Sequence, residues 1–207
     1  MIIAVDGPTA SGKGTIARAI ARHFDLPHLD TGMLYRAVGY QLRLNGGDPD
    51  NEADAQAACD FPMGLLEEPE LRSELTGGLA SRVSVHPAVR KTLLERQRAF
   101  AFQDRGAVLD GRDIGTVIVP EADVKLFVTA AFDVRVKRRF EEMEKGEFPF
   151  ELKEIEADIA VRDERDRNRK EAPLRAADDA VTLDTSDLGR EEAIAAAIAL
   201  VEERLGN

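Results

Sequence analysis

The chain has 207 residues, 43% hydrophobic and 32% charged, enough to bury a substantial core without disulfides. Its formal net charge of −11 argues against holding nucleic acid or an anionic membrane by bulk electrostatics. The single cysteine, Cys59, has no partner in the chain, no stretch nears the roughly 20 apolar residues a bilayer requires, and MIIAVDGPT lacks leader-peptide marks; a cytoplasmic protein is expected.

In chain order, Ile2–Asp6 is an apolar run ending at a glycine, the signature of a buried parallel strand. Ile16, Ala17, Ile20, Ala21 and Phe24 recur at helical spacing, and a helix is predicted over Thr15–Phe24. Leu29 sits in a brief extended segment, and Met33–Leu44 reads as a helix stopped by Asn45-Gly46-Gly47. A polar helix follows at Asn51–Ala58. From Phe61 to Val85, Pro62, Pro69, Gly77 and Gly78 leave no assignable pattern. Pro87 opens a helix to Phe102. AVLD (107–110) and VKLFV (124–128) are two more buried strands. A charged helix over Asp133–Lys145 should end at Gly146, and a long polar helix spans Leu152–Asn168. Val181–Asp184 is the last strand, and Leu188–Leu205 is an amphipathic helix with Gly189 as N-cap and Glu192 three residues on. Strands alternating with helices predict an α/β fold, a parallel sheet covered on both faces.

Gly7-Pro8-Thr9-Ala10-Ser11-Gly12-Lys13-Gly14-Thr15 lies between the first strand and the first helix at P-loop spacing. Such a loop wraps backbone N–H groups around a phosphate at a helix N-terminus. Glycine at 7 and 12 permits close approach, and Lys13 supplies a charge that can follow the β- and γ-phosphates. Gly14 stands where a Mg²⁺-binding hydroxyl is usual. The hydroxyl comes one residue later, at Thr15, and its role between metal and phosphate stays open. The loop alone does not separate a kinase from a nucleotide switch or an ATPase.

Downstream, Asp30-Thr31-Gly32-Met33-Leu34-Tyr35-Arg36 puts a carboxylate, a hydroxyl and an arginine around a helix start. Asp30 or Thr31 alone suits an N-cap, whereas Arg36 can reach an anion with bidentate geometry. Asp110-Gly111-Arg112-Asp113 follows a strand, at the sheet edge where ligands bind in open α/β folds; Asp110 there can hold Mg²⁺, directly or through water. Between Arg162 and Arg175, RDERDRNRKEAPLR carries five arginines. That cluster reads either as a solvated helix face with Arg–Asp pairs at three- and four-residue spacing or as a site for a multiply charged anion. His23, His28 and His86 have no metal-site spacing and are not candidates for catalysis.

GPTASGKGT, LDTGMLYRA, LASRVSVHPAVRKTLLERQRAF, LDGRDIGTVIVP and RDERDRNRKEAPL, in that order and over nearly the whole chain, resemble the bacterial cytidylate kinases. DGRD followed by RDxRDRNR is the specific part. The resemblance implies ATP as donor, CMP or dCMP as acceptor, and Mg²⁺. It implies one P-loop NTPase kinase domain: a core (about 1–31, 106–144 and 176–207), a nucleotide-binding insert (about 32–105) and a helical lid (about 145–175). It puts Arg36 and Arg112 on the acceptor phosphate, Thr31, Ser81, Arg90 and Asp113 on the cytosine edge, and Arg162 and Asp166 on the ribose. Arg165, Arg167 and Arg169 fall in the lid, with Arg112, Arg162 and Lys13 also sharing the transition-state charge. Two features depart from the family. The segment 61–78 looks shorter than its usual insert, and Thr31 replaces a common serine. A monomer without nucleic-acid or membrane partners is expected.

With a P-loop present, the arginine cluster gains a purpose, because phosphoryl transfer asks mainly for positioning and charge stabilisation and for exclusion of water. The rival readings are a kinase for UMP, AMP or shikimate, and a nucleotide-dependent switch. A guanine-specific switch would carry N-K-x-D, which the chain lacks.

Overall fold

A computed structural model of the chain, describing residues 1–143 and 151–206, contains a five-stranded, wholly parallel sheet. The strands are β1 (Ile2–Asp6), β2 (His28–Asp30), β3 (Ala107–Gly111), β4 (Val124–Thr129) and β5 (Val181–Asp184), in the order β2-β3-β1-β4-β5. The central strand β1 buries alternate residues on opposite faces. Ile3 and Val5 pack with Ile16 and Ile20 of α1 (Lys13–His23) and Ala193, Ala197 and Val201 of α8 (Arg190–Leu205). On the other face Ala4 joins Leu109, Ile114, Ile118 and Ala101. This is the expected three-layer α/β arrangement.

The remaining helices are α2 (Thr31–Leu44), α3 (Glu52–Ala57), α4 (Glu74–Val83), α5 (Pro87–Ala101), α6 (Phe132–Met143) and α7 (Leu152–Asn168). α2 to α5 share a separate core in which Leu34, Val38, Leu42, Leu71, Val83 and Leu93 are buried. Phe61–Val85, left unassigned from sequence, holds two 3₁₀ turns, Met63–Glu67 and Pro69–Arg72, and then α4. Ser73 caps α4, its Oγ accepting from Thr76 N at 3.2 Å. α6 begins one residue before the predicted helix and is described to Met143; the expected stop at Gly146 lies outside the described residues. α7 and β5 have the predicted bounds, and Gly189 caps α8 with its N–H donating to Glu192 Oε2 at 2.8 Å. Cys59 is buried, its Sγ against Ala55 O, and burial pushes its thiol up to about 11. No helix among the described residues is long and apolar enough to cross a membrane.

Candidate active site

β1 delivers the glycine-rich loop at its carboxyl end. A Cβ on Gly7 would lie 2.1 Å from Val128 O of β4, so only glycine lets the loop leave the sheet here. Gly12 adopts φ 88° as the N-cap of α1, and Ala10 also takes the left-handed region at φ 59°. Three residues from α6 and from the turn after β5 brace the loop. Arg135 Nη1 of α6 donates to Thr9 O at 3.0 Å, Thr185 Oγ1 donates to Ser11 O at 3.2 Å, and Arg138 Nη1 reaches Thr185 Oγ1 at 2.9 Å. Lys13 Nζ lies 3.4 Å from Pro8 O inside the loop; burial, then the neighbouring Arg112, pulls it down to about 8. Ser11 Oγ is buried without a hydrogen-bond partner among the described residues. A glycine-rich loop at a helix N-terminus with an unpartnered buried hydroxyl and a half-buried ammonium suits an oligophosphate.

Beside the loop, β2 and β3 end in register, Asp30 opposite Asp110. Burial, then Asp110, raises Asp30, while Lys13 works against both. Asp110 Oδ1 lies 2.7 Å from His28 Nε2, and its Oδ2 faces Gly14, where a Cβ would sit 3.6 Å away. His28, set aside on sequence, therefore adjoins the site. Among the described residues no three or more Asp, Glu, His or Cys side chains form a metal cage. Two carboxylates beside a phosphate loop fit a cation of Mg²⁺ type, which takes most of its ligands from phosphate and water.

The strand β3 runs into Arg112 and Asp113, and a π-helical turn, Ile114–Ile118, follows. Asp6 pins that turn, its two oxygens accepting from Ile114 N and Gly115 N, each at 2.8 Å. Burial outweighs these two bonds and pushes Asp6 up to about 7. Thr31 Oγ1, at the start of α2, donates to Asp110 O at 2.8 Å; it occupies the space a Cβ on Gly111 would need.

A cavity of about 110 Å³ opens between this strand end, α2, α4 and α7. Among the candidate residues Thr9, Thr31, Arg36, Ser81, Arg112, Asp113, Arg162, Asp166 and Arg169 line it. Arg112 spans it, with Nη2 donating to Thr9 Oγ1 at 2.9 Å and Nε to Asp166 Oδ2 at 2.8 Å. Asp113 sits between two buried guanidiniums, paired through Oδ2 with Arg90 and through Oδ1 with Arg169 at 3.2 Å. Arg90 lies behind the cavity wall and also stacks near the Tyr35 ring at 5.7 Å. Arg165 Nη1 donates to Ser81 Oγ at 2.6 Å, closing α7 onto α4. Arg167 is not in the cavity: it is 58% exposed and faces Asp163 at 3.8 Å. The arginine-rich segment thus divides. Arg162, Arg165 and Arg169 turn inward, and Arg167 belongs to the solvated, paired face that the other reading anticipated.

Sequence reasoning missed Arg135, Arg138 and Arg139 of α6. Arg135 makes a buried fork with Asp163, 2.6 and 3.2 Å, joining α6 to α7. Their positions, three and four residues apart, put them on one helix face, a signal present in the sequence. Glu74, the partner of both Arg139 and Arg162, had no local signal.

Residues 3–203 match the family described as "Cytidylate kinase". A cytidylate kinase from Azorhizobium caulinodans is 52% identical over 206 residues, covering all of both chains. Another from Caulobacter sp. strain K31 is 51% identical over 97% of this chain and 94% of its own. Among solved structures, a shikimate kinase from Bacteroides thetaiotaomicron shares the fold at TM-score 0.52 and 14% identity, covering 100% of this chain and 99% of its own. The phosphate loop, the arginine-lined cavity beside it and this end-to-end similarity make the chain a member of the cytidylate kinase family.

Proposed function

We propose that this enzyme transfers the γ-phosphoryl group of ATP to CMP or dCMP, giving ADP and CDP or dCDP. The observation that carries the reading is Arg112, one guanidinium touching both Thr9 of the phosphate loop and Asp166 of the acceptor cavity. A group at that junction can orient a donor and an acceptor phosphate toward each other. In this reading the loop 7–15 holds the ATP phosphates, with Lys13 on the transferring group. Arg36 and Arg112 hold the acceptor phosphate, and Arg162 and Asp166 its ribose. Thr31, Ser81, Arg90 and Asp113 read the base. A carboxylate there suits cytosine, which presents an N4–H₂ donor where uracil presents an acceptor.

An oxygen of the acceptor phosphate attacks the γ-phosphorus, and the bond to the β,γ-bridging oxygen breaks. The acceptor is already anionic at neutral pH, so no general base is assigned. Lys13, Arg112, Arg162, Arg165 and Arg169 stabilise charge on the moving group and keep water out. Arg167, at the surface, is dropped from that set. Mg²⁺ would be held beside the loop by Asp110 and Asp30 and would supply neutralisation of the donor phosphates. Residues 32–105 serve as the acceptor insert and 145–175 as the lid of one kinase domain. The buried, unpaired Cys59 supports a reducing, cytoplasmic setting, and we take the enzyme as a monomer.

An ADP-release assay with ATP–Mg²⁺ against CMP, dCMP, UMP, AMP, GMP and shikimate tests this. Turnover confined largely to CMP and dCMP, and lost in Asp113→Ala, is expected. Turnover with another acceptor alone, or with none, overturns it.

A further inference from the structure

Glu74 opens α4 directly after its Ser73 cap and does not line the cavity. Its Oε1 accepts from Arg162 on α7, and its Oε2 from Arg139 on α6. All three side chains are largely withdrawn from solvent: Glu74 is 21% exposed, Arg162 8% and Arg139 15%. One carboxylate therefore ties α4 to the helices on either side of residues 144–150.

Arg36 stands against the same group. Its Nη1 donates to Leu71 O at 2.7 Å and Ser73 O at 2.9 Å, the carbonyls leading into α4. A Cβ on Gly77 would meet Arg36 Nη2 at 2.8 Å and both Arg162 Nη atoms at 3.1 Å. Arg36 and Arg162 thus converge over one residue, which admits them because it has no side chain. Guanidiniums gathered this closely repel one another. Arg36 is accordingly drawn down to about 10, by burial first and by Arg162 and Arg139 next. For Glu74 burial works to raise the carboxyl, but Arg162 and Arg139 outweigh it and hold it below its ordinary value, hence ionised at neutral pH. Asp158, also beside Arg162 at 2.8 Å, is 38% exposed against 21% for Glu74 and is pushed the other way, by burial and by Glu74.

We propose that Glu74 is a positioning residue for the acceptor: its carboxylate holds Arg162 and Arg139 beside Arg36 against their mutual repulsion. A phosphate-bearing acceptor then meets a preassembled guanidinium cluster rather than having to gather it. The inference rests on the placement of the acceptor at Arg36 and Arg112. Preorganisation of this kind lowers the cost of binding one ligand. The donor loop is braced separately by Arg135, Arg138 and Thr185, so ATP should be indifferent to Glu74. A purely structural ion-pair cluster would instead cost stability and affect both substrates through the folded fraction.

The experiment is steady-state kinetics on the full chain, varying CMP at saturating ATP and ATP at saturating CMP, alongside thermal unfolding. The variants are Glu74→Gln, Glu74→Asp, Arg36→Gln, Arg139→Gln and the Glu74→Gln/Arg139→Gln pair. Glu74→Gln should raise KM for CMP about tenfold, as losing one member of a buried charged network does, while KM for ATP moves less than about twofold. Glu74→Asp should recover part of the loss. The effect of Glu74→Gln should shrink in the Arg139→Gln background, because the two act as a unit. Should Glu74→Gln fail to fold, Glu74→Asp carries the same test, with the charge kept but withdrawn by one methylene. An unchanged KM for CMP, an equal rise in both KM values, or a loss that follows the folded fraction overturns the proposal. If Arg36→Gln raises KM for CMP and Glu74→Gln does not, the inference alone falls. If Arg36→Gln has no effect, the acceptor placement falls and takes the inference with it.

Discussion

Replacing Asp6 by asparagine should make the protein more resistant to unfolding than the parent at pH 8, and less resistant at acidic pH, where the amide nitrogen cannot replace one of the two acceptors Asp6 offers Ile114 N and Gly115 N. Asp6 is 4% exposed, and its carboxyl is raised to about 7 from an ordinary 3.8. Burial is the main cause, and the charge of Asp113 adds to it, while Ile114 N, Gly115 N and Arg112 oppose it. A raised folded value means that folding takes up a proton between those limits. The group's favourable contribution is complete below about pH 4 and is lost as pH rises through about 7. The difference between about 7 and 3.8 corresponds to about 4 kcal/mol at roughly 1.36 kcal/mol per pH unit. The amide of Asp6→Asn is neutral at every pH but has a single acceptor where Asp6 has two, which costs about 1–3 kcal/mol independently of pH. The stability of the variant relative to the parent should therefore rise by about that amount from pH 4 to pH 8, or on the order of 10 °C for a chain of this size. Urea titrations followed by circular dichroism at several pH values measure it. A gap that does not change with pH would refute the reasoning, since it would mean that Asp6 enters the folded state as a carboxylate at ordinary cost.

Three further outcomes follow from the site. Asp113→Asn leaves the buried Arg90 and Arg169 without their counter-charge and offers an amide N–H to the base. The ratio of kcat/KM for CMP over UMP should fall about ten- to a hundredfold, with a stability loss of about 3 kcal/mol; an unchanged ratio places base reading elsewhere. In Gly7→Ala the new methyl overlaps Val128 O, 2.1 Å from where it must sit, so ATP binding measured by calorimetry should be abolished while the sheet persists by circular dichroism. Retained ATP affinity would mean that the loop does not depend on that close approach. Lys13, pulled down to about 8, should regain its proton when phosphates arrive. ATP binding at pH 9 should therefore take up a proton, read from calorimetry in buffers of different ionisation enthalpy. The uptake should vanish in Lys13→Met, and equal uptake in both proteins contradicts the assignment.

β1, β3 and β4 were legible because each is a short apolar run, and α1 and α2 because their apolar residues recur at a single angular spacing; β2, His28–Asp30, offered only Leu29. α4 was hidden by Gly77 and Gly78, which read as breaks. Only the packed structure shows why a glycine stands mid-helix: Arg36 and Arg162 converge over Gly77. Likewise Gly7 and Lys13 announced the phosphate loop, whereas its braces, Arg135, Arg138 and Thr185, come from more than a hundred residues away.

By itself the sequence determined a parallel α/β core, the position of the phosphate loop, and the segments in which arginine and aspartate concentrate. Each of these is written locally, in periodicity or in motif spacing. The tertiary structure alone decided which arginine faces which carboxylate: Arg167 outward to Asp163, Arg169 inward to Asp113, Arg112 across to Asp166, and Arg162 back to Glu74. Asp–Arg pairs at three- and four-residue spacing are available throughout 162–175, and they compete with partners 54 to 88 residues distant. Burial and the geometry of approach choose between them, and neither exists until the chain has folded.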